Sequence, residues 1–93
     1  MISLMEVFHD GGDVKHQGWS LRTTIVNPYY IIRMFEDVQV RSYNENGYLP
    51  PGLDKDHEFT KLFLTGGNVI TVCASLDQIA TKINVVKKTL LKG

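Results

Sequence analysis

Two short apolar runs, Phe59 to Thr65 and Val69 to Ala74, stand on either side of Gly66-Gly67-Asn68, and no other feature restricts the fold as much. Both runs are rich in strand-forming residues, and the three between them tolerate the positive φ that a tight hairpin turn needs. Each run is apolar on both faces, with Leu62 and Leu64 opposite Phe59 and Phe63, and Ile70 and Val72 opposite Val69 and Cys73. A strand covered on both sides reads this way, so the hairpin is expected near the middle of a sheet with a helix on one face.

That helix follows at once. Ser75 precedes an apolar repeat and Gln78 follows three residues later, the capping box in which each side chain satisfies the other's free backbone N–H. Leu76, Ile79, Ala80, Ile83, Val86 and Leu90 recur at intervals of three or four and build one apolar stripe. Lys87, Lys88 and Lys92 collect where the exposed carbonyls of a helix end favour cations. The pattern predicts a helix over about 76–91.

Upstream, Ile2 to Phe8 reads as a short strand closed by the Asp10-Gly11-Gly12-Asp13 turn, and Trp19, Leu21, Thr23 and Ile25 alternate with Ser20, Arg22 and Thr24 as a second. Pro28 forbids a ladder N–H and biases Asn27 away from helix, placing Tyr29 and Tyr30 in a turn before a strand from Ile31 to Phe35. In Asp37 to Tyr43, Val38 and Val40 alternate with Gln39, Arg41 and Tyr43, which predicts a strand with one wet face. Residues 44–58 carry Gly47 and Gly52 around Pro50-Pro51 and read as a long loop. The expected fold is α+β, one domain over 1–93: a small antiparallel sheet or partly open barrel with one C-terminal amphipathic helix packed on it.

Ten Lys plus Arg balance ten Asp plus Glu, so total charge marks out neither nucleic acid nor a membrane as partner. The balance conceals a split. Residues 1–58 hold nine acids and five Lys or Arg, a net of −4, and residues 59–93 hold one acid and five Lys, a net of +4. Opposite poles attract either within one fold or between copies; the second favours head-to-tail or symmetric self-association, and a homo-oligomer is expected. A lone Cys73 forms no disulfide within the chain, and no apolar run approaches a membrane span, so a cytoplasmic setting is expected.

His9-Asp10-x-x-Asp13-x-x-His16 is the one cluster with metal-ligand chemistry, but a Gly-Gly turn attracts Asp anyway, and no metal site is assigned. Cys73, His57, Asp54 and Asp56 lack any surrounding catalytic signature, so no enzyme and no cofactor is expected. Gly66-Gly67 lacks the Lys-Ser/Thr and following helix of a phosphate loop. Binding residues are a different matter. Trp19, Arg22, Tyr29, Tyr30, Arg33, Arg41, Tyr43 and Tyr48 are aromatics and arginines that stack on flat rings, fork onto phosphates or carboxylates, and dominate protein interfaces.

Asn27-Pro28-Tyr29-Tyr30-Ile31-Ile32, then Phe59 through Val72, then Ser75-Leu76-Asp77-Gln78-Ile79 and Lys82-Ile83, resemble the small FlbD-type flagellar and swarming-motility proteins over about half of the chain. The 44–58 loop and the Trp19 region depart from that family. The resemblance implies a β-rich domain with a C-terminal helix, and it carries no chemistry over. Two readings follow from the residues. One is a noncatalytic, self-associating regulatory module that docks on a protein partner as adaptor or inhibitor. The other is a small-ligand binder of the phage type that sequesters a nucleotide-like anion with Arg22, Arg33, Arg41, Trp19 and Tyr43.

Overall fold

A computed structural model describes residues 1–11 and 18–92 of the chain. Gly12, Asp13 and His16, and the side chains of Lys88, Leu90 and Lys92, all named above, lie outside the described residues. The elements in chain order are β1 (Ile2–His9), β2 (Trp19–Val26), a 3₁₀ turn (Pro28–Tyr30), β3 (Ile31–Glu36), α1 (Val38–Glu45), β4 (Thr60–Leu64), β5 (Val69–Val72) and α2 (Leu76–Lys92). The strands form one antiparallel sheet in the order β2-β1-β5-β4-β3. The expected α+β class is therefore what the chain adopts, with the 59–74 hairpin at the middle of the sheet.

The sheet is curled without being closed. β2 and β3 are its two edges, about 19 Å apart across four strand spacings if the sheet were flat. Only residues 27–30 join them, and part of that link is a 3₁₀ turn in which Tyr30 N donates to Asn27 O. A link this short brings the edges together, and Val26 and Leu64 line one cleft as a result.

Strand register assigns each side chain to a face. Ile2, Leu4, Val26, Leu62, Val72 and Ala74 lie on the inner face, where Ile79 of α2 seals them and Ile83 and Val86 pack beside it. Leu62, Val72 and Ile79 are completely buried, each worth about 1.5–3 kcal/mol in transfer from water. Ser75 and Gln78 make the reciprocal capping bonds that the sequence predicts. On the outer face Val7, Val40, Leu49 and Phe59 form a second core, with Leu21, Leu53 and Cys73 packed against it.

The segment Asp37 to Tyr43 is a helix and not the expected strand. Asp37 is its N-cap, accepting from Val40 N, and Asp37 N itself donates to Phe59 O. Val40, Tyr43 and Asn44 then fall at helical spacing, with Val40 and Tyr43 over Phe59, while Val38 points to solvent. Helical pairing with a distant phenylalanine outweighs a two-residue alternation. The expected loop at 44–58 begins two residues later than read, because Asn44 and Glu45 complete α1. β3 carries a further irregularity: Ile31 pairs with Leu64 and Arg33 with Phe63, so Ile32 is bulged out and exposed.

Candidate functional site

The eight aromatic and arginine residues singled out from the sequence do not converge. Trp19, Tyr43 of α1 and the exposed Tyr48 form a row of rings, with centroids 5.6 Å apart for the first pair and 6.2 Å for the second. The His9 ring meets Trp19 edge-on at 5.1 Å. Trp19 and Tyr43 pack on the outer core, and the Tyr43 hydroxyl accepts from Gln39 Nε2 at 2.8 Å. These rings serve packing first.

Arg22 and Arg41 are occupied. Arg22 forks onto Glu6, Nε to Oε1 at 3.1 Å and Nη2 to Oε2 at 3.0 Å, and its guanidinium lies 4.1 Å from the Phe8 ring centre. The Glu6 hydrogen bonds hold the guanidinium more firmly protonated than usual, and the Glu6 side chain is itself buried. Arg41 is held the same way, by Glu36 at 2.7 Å and Glu45 at 3.6 Å. Tyr29 and Tyr30 are exposed on the turn between the edge strands, Tyr29 under Lys87 Nζ at 5.5 Å. Tyr30 faces the same cleft as Arg22, a space of about 490 Å³ with Thr24, Asn27, Thr65 and Asn68 on its walls.

Arg33 differs. Its guanidinium lies 4.8 Å from the Phe63 ring centre and 5.2 Å from that of Phe35, and the two rings are 5.3 Å apart. Phe35 pairs across the ladder with Lys61, Arg33 with Phe63 and Phe63 with Val69, so all five side chains share the outer face beyond the reach of α1. Phe35 is 40% exposed and Val69 48%. Neither Arg33 nor Lys61 makes an ion pair among the described residues. The result is an open sheet face with two rings tilted 33° to each other, a guanidinium over them and a second cation alongside. A guanidinium over aromatic rings keeps its N–H donors for other groups, and a carboxylate is the matching partner.

Of the residues in this face, the sequence marks only Arg33. Phe35, Phe63 and Lys61 are missed because their exposure depends on where α1 stops, although the opposition of Phe63 to Leu62 is legible.

The 53–58 loop lies elsewhere. Asn44 Nδ2 donates to Asp54 O at 2.7 Å, His57 N donates to the same oxygen at 3.1 Å, and Leu53 packs on the outer core. A cleft of about 400 Å³ separates this loop from the first turn of α2, with Arg41, Asp56 and Glu58 among its walls. Asp54, Asp56 and Glu58 are exposed and form no ion pair among the described residues. Burial pushes the Cys73 thiol up to about 11, which keeps it protonated at neutral pH.

Among the described residues no group of three or more His, Cys, Asp or Glu is placed to hold a metal ion. No described helix is long and apolar enough to cross a membrane. No protein-family model matches the chain, and neither does any curated protein or solved structure.

Proposed function

We propose that this chain is a noncatalytic interaction module that assembles with itself and regulates a partner protein as an adaptor or inhibitor. The observation that carries the reading is the open face of Arg33, Phe35, Phe63, Lys61 and Val69. An exposed Phe35 beside a half-buried Phe63, with an arginine over both rings, matches the residue types that concentrate binding energy at protein interfaces. The face is built on strands and needs no ordering before a partner arrives. A reducing compartment such as the cytoplasm suits a chain whose single cysteine is free.

The alternative, capture of a nucleotide-like anion, draws on the cleft beside Arg22, whose volume falls within the range of ligand pockets. Its cation already satisfies a buried carboxylate, so an anion would have to displace Glu6 and leave that charge unpaired. The same pairing weighs against Arg41.

Native mass spectrometry of the purified protein separates the two readings. The module reading expects an oligomer whose mass is a whole multiple of the chain. A monomer, or an excess mass that disappears on denaturation, would replace it with the ligand reading or remove self-association from it.

A further inference from the structure

We infer that the face of Arg33, Phe35, Phe63 and Lys61 receives the Asp54–Glu58 loop of a second copy, so that copies associate head to tail. The inference rests on the self-association proposed above and identifies its two surfaces. Both are built, and neither forms an ion pair among the described residues. The face offers two such cations, beside the exposed Phe35 ring and the half-buried Phe63 ring. The loop offers three exposed carboxylates that form no ion pair among the described residues, with Lys55 between them and Arg41, already bonded to Glu36, across the cleft from Glu58.

A chain does not bring its own loop to Arg33. Glu58 precedes the start of β4 at Thr60, where Glu36 ends β3 and where the Phe35–Lys61 pair lies, whereas Arg33 and Phe63 sit toward the other end of the same pair of strands. The loop is also fastened, through the Asp54 carbonyl to Asn44 and through Leu53 into the outer core. It cannot swing along its own sheet, and it needs little further ordering to dock on another.

The contact is taken as heterologous because Arg33 and Phe63 lie away from the end of β3 and β4 that carries the loop, so one copy's face and loop engage different neighbours. Such contacts close into a ring or extend as a filament, in contrast to a twofold dimer in which one patch meets its own copy. Charge complementarity also favours this arrangement over face-to-face pairing, which would set Arg33 and Lys61 against their own copies.

The test uses the full-length protein with two exposed-site variants, followed by sedimentation velocity. The face variant carries Arg33→Glu with Phe35→Ser, and the loop variant carries Asp54→Asn with Asp56→Asn. Each alone is expected to weaken assembly by about tenfold or more, the loss of one interface hot spot. Mixed one to one, they are expected to form a heterodimer and nothing larger, because only one intact face and one intact loop remain to meet. Wild-type assembly is expected to weaken from about 0.1 M to about 1 M salt as the Debye length falls from about 10 to about 3 Å. Arg33→Gln, which leaves the rings in place, serves as the face variant if the double substitution does not fold.

Wild-type protein that assembles while both variants assemble equally well would overturn the docking geometry and leave self-association standing. Variants that fail alone and also fail when mixed would overturn the head-to-tail arrangement in favour of a twofold one. A wild-type monomer at every concentration would overturn both this inference and the self-association beneath it, leaving the face to a different acidic protein.

Discussion

Thr71 Oγ1, on the central strand β5, donates to Asp37 Oδ2 at 2.7 Å, while the other oxygen of the same carboxylate accepts from Val40 N at 3.0 Å. One buried side chain thus starts α1 and ties that start to the middle of the sheet.

Asp37→Ala is expected to lower stability by about 2–3 kcal/mol, combining the loss of a helix cap with the loss of a hydrogen bond to a charged group. Asp37→Asn, which keeps an acceptor for Val40 N, should recover a substantial part. Urea unfolding followed by circular dichroism measures both. A loss below about 0.5 kcal/mol would mean that packing of Val40 and Tyr43 holds α1 without its cap.

Thr60 is completely buried on the inner face and donates to the Ala74 carbonyl at 2.7 Å, which joins β4 to the segment between β5 and α2. Valine has the same shape without the donor. Thr60→Val is expected to cost about 1–2 kcal/mol, mostly through the carbonyl left without its partner. An unchanged denaturation midpoint would show that the Ala74 carbonyl finds another donor.

Gly66 and Gly67 have φ of 91° and 87°, and no atom stands near where a Cβ would be added to either. The cost of Gly67→Ala is therefore one of backbone conformation, expected at about 1–2 kcal/mol. Because the turn is exposed and lies outside the proposed docking surfaces, assembly should be unaffected while thermal unfolding shifts down. A stabilised variant would contradict the positive φ.

Cys73 titrates near 11 in the folded chain against 9.0 for the unperturbed thiol, so between those values the unfolded chain is the more ionised. The folded thiol raises no penalty below pH 9, and stability should fall as pH rises from about 9 toward 11. The buried thiol holds about a hundredfold less thiolate at pH 8, and native Cys73 should react with a disulfide reagent correspondingly more slowly than the urea-unfolded chain. Equal rates would place the thiol in open solvent.

The hairpin and the last helix are legible in the residues because their signals are local. Gly66 and Gly67 supply positive φ within the turn they form, and Ser75 and Gln78 close their capping box across three residues. The candidate surface is legible only in Arg33. Its guanidinium acquires a role from Phe63 and Phe35, and Ile32 is bulged so that Arg33, rather than its neighbour, stands opposite Phe63.

What the sequence determined by itself is the class of fold: a central apolar hairpin, flanking strands with turns between them, and an amphipathic helix to cover one face. Tertiary structure alone decided that Asp37 to Tyr43 is helical, that Arg22 and Arg41 are bound to glutamates, and that Arg33 is left open on the sheet. The reason is range. A capping box or a glycine turn is complete within a few neighbouring residues, whereas Asp37 meets Thr71 across 34 positions, and only the folded sheet brings such groups together.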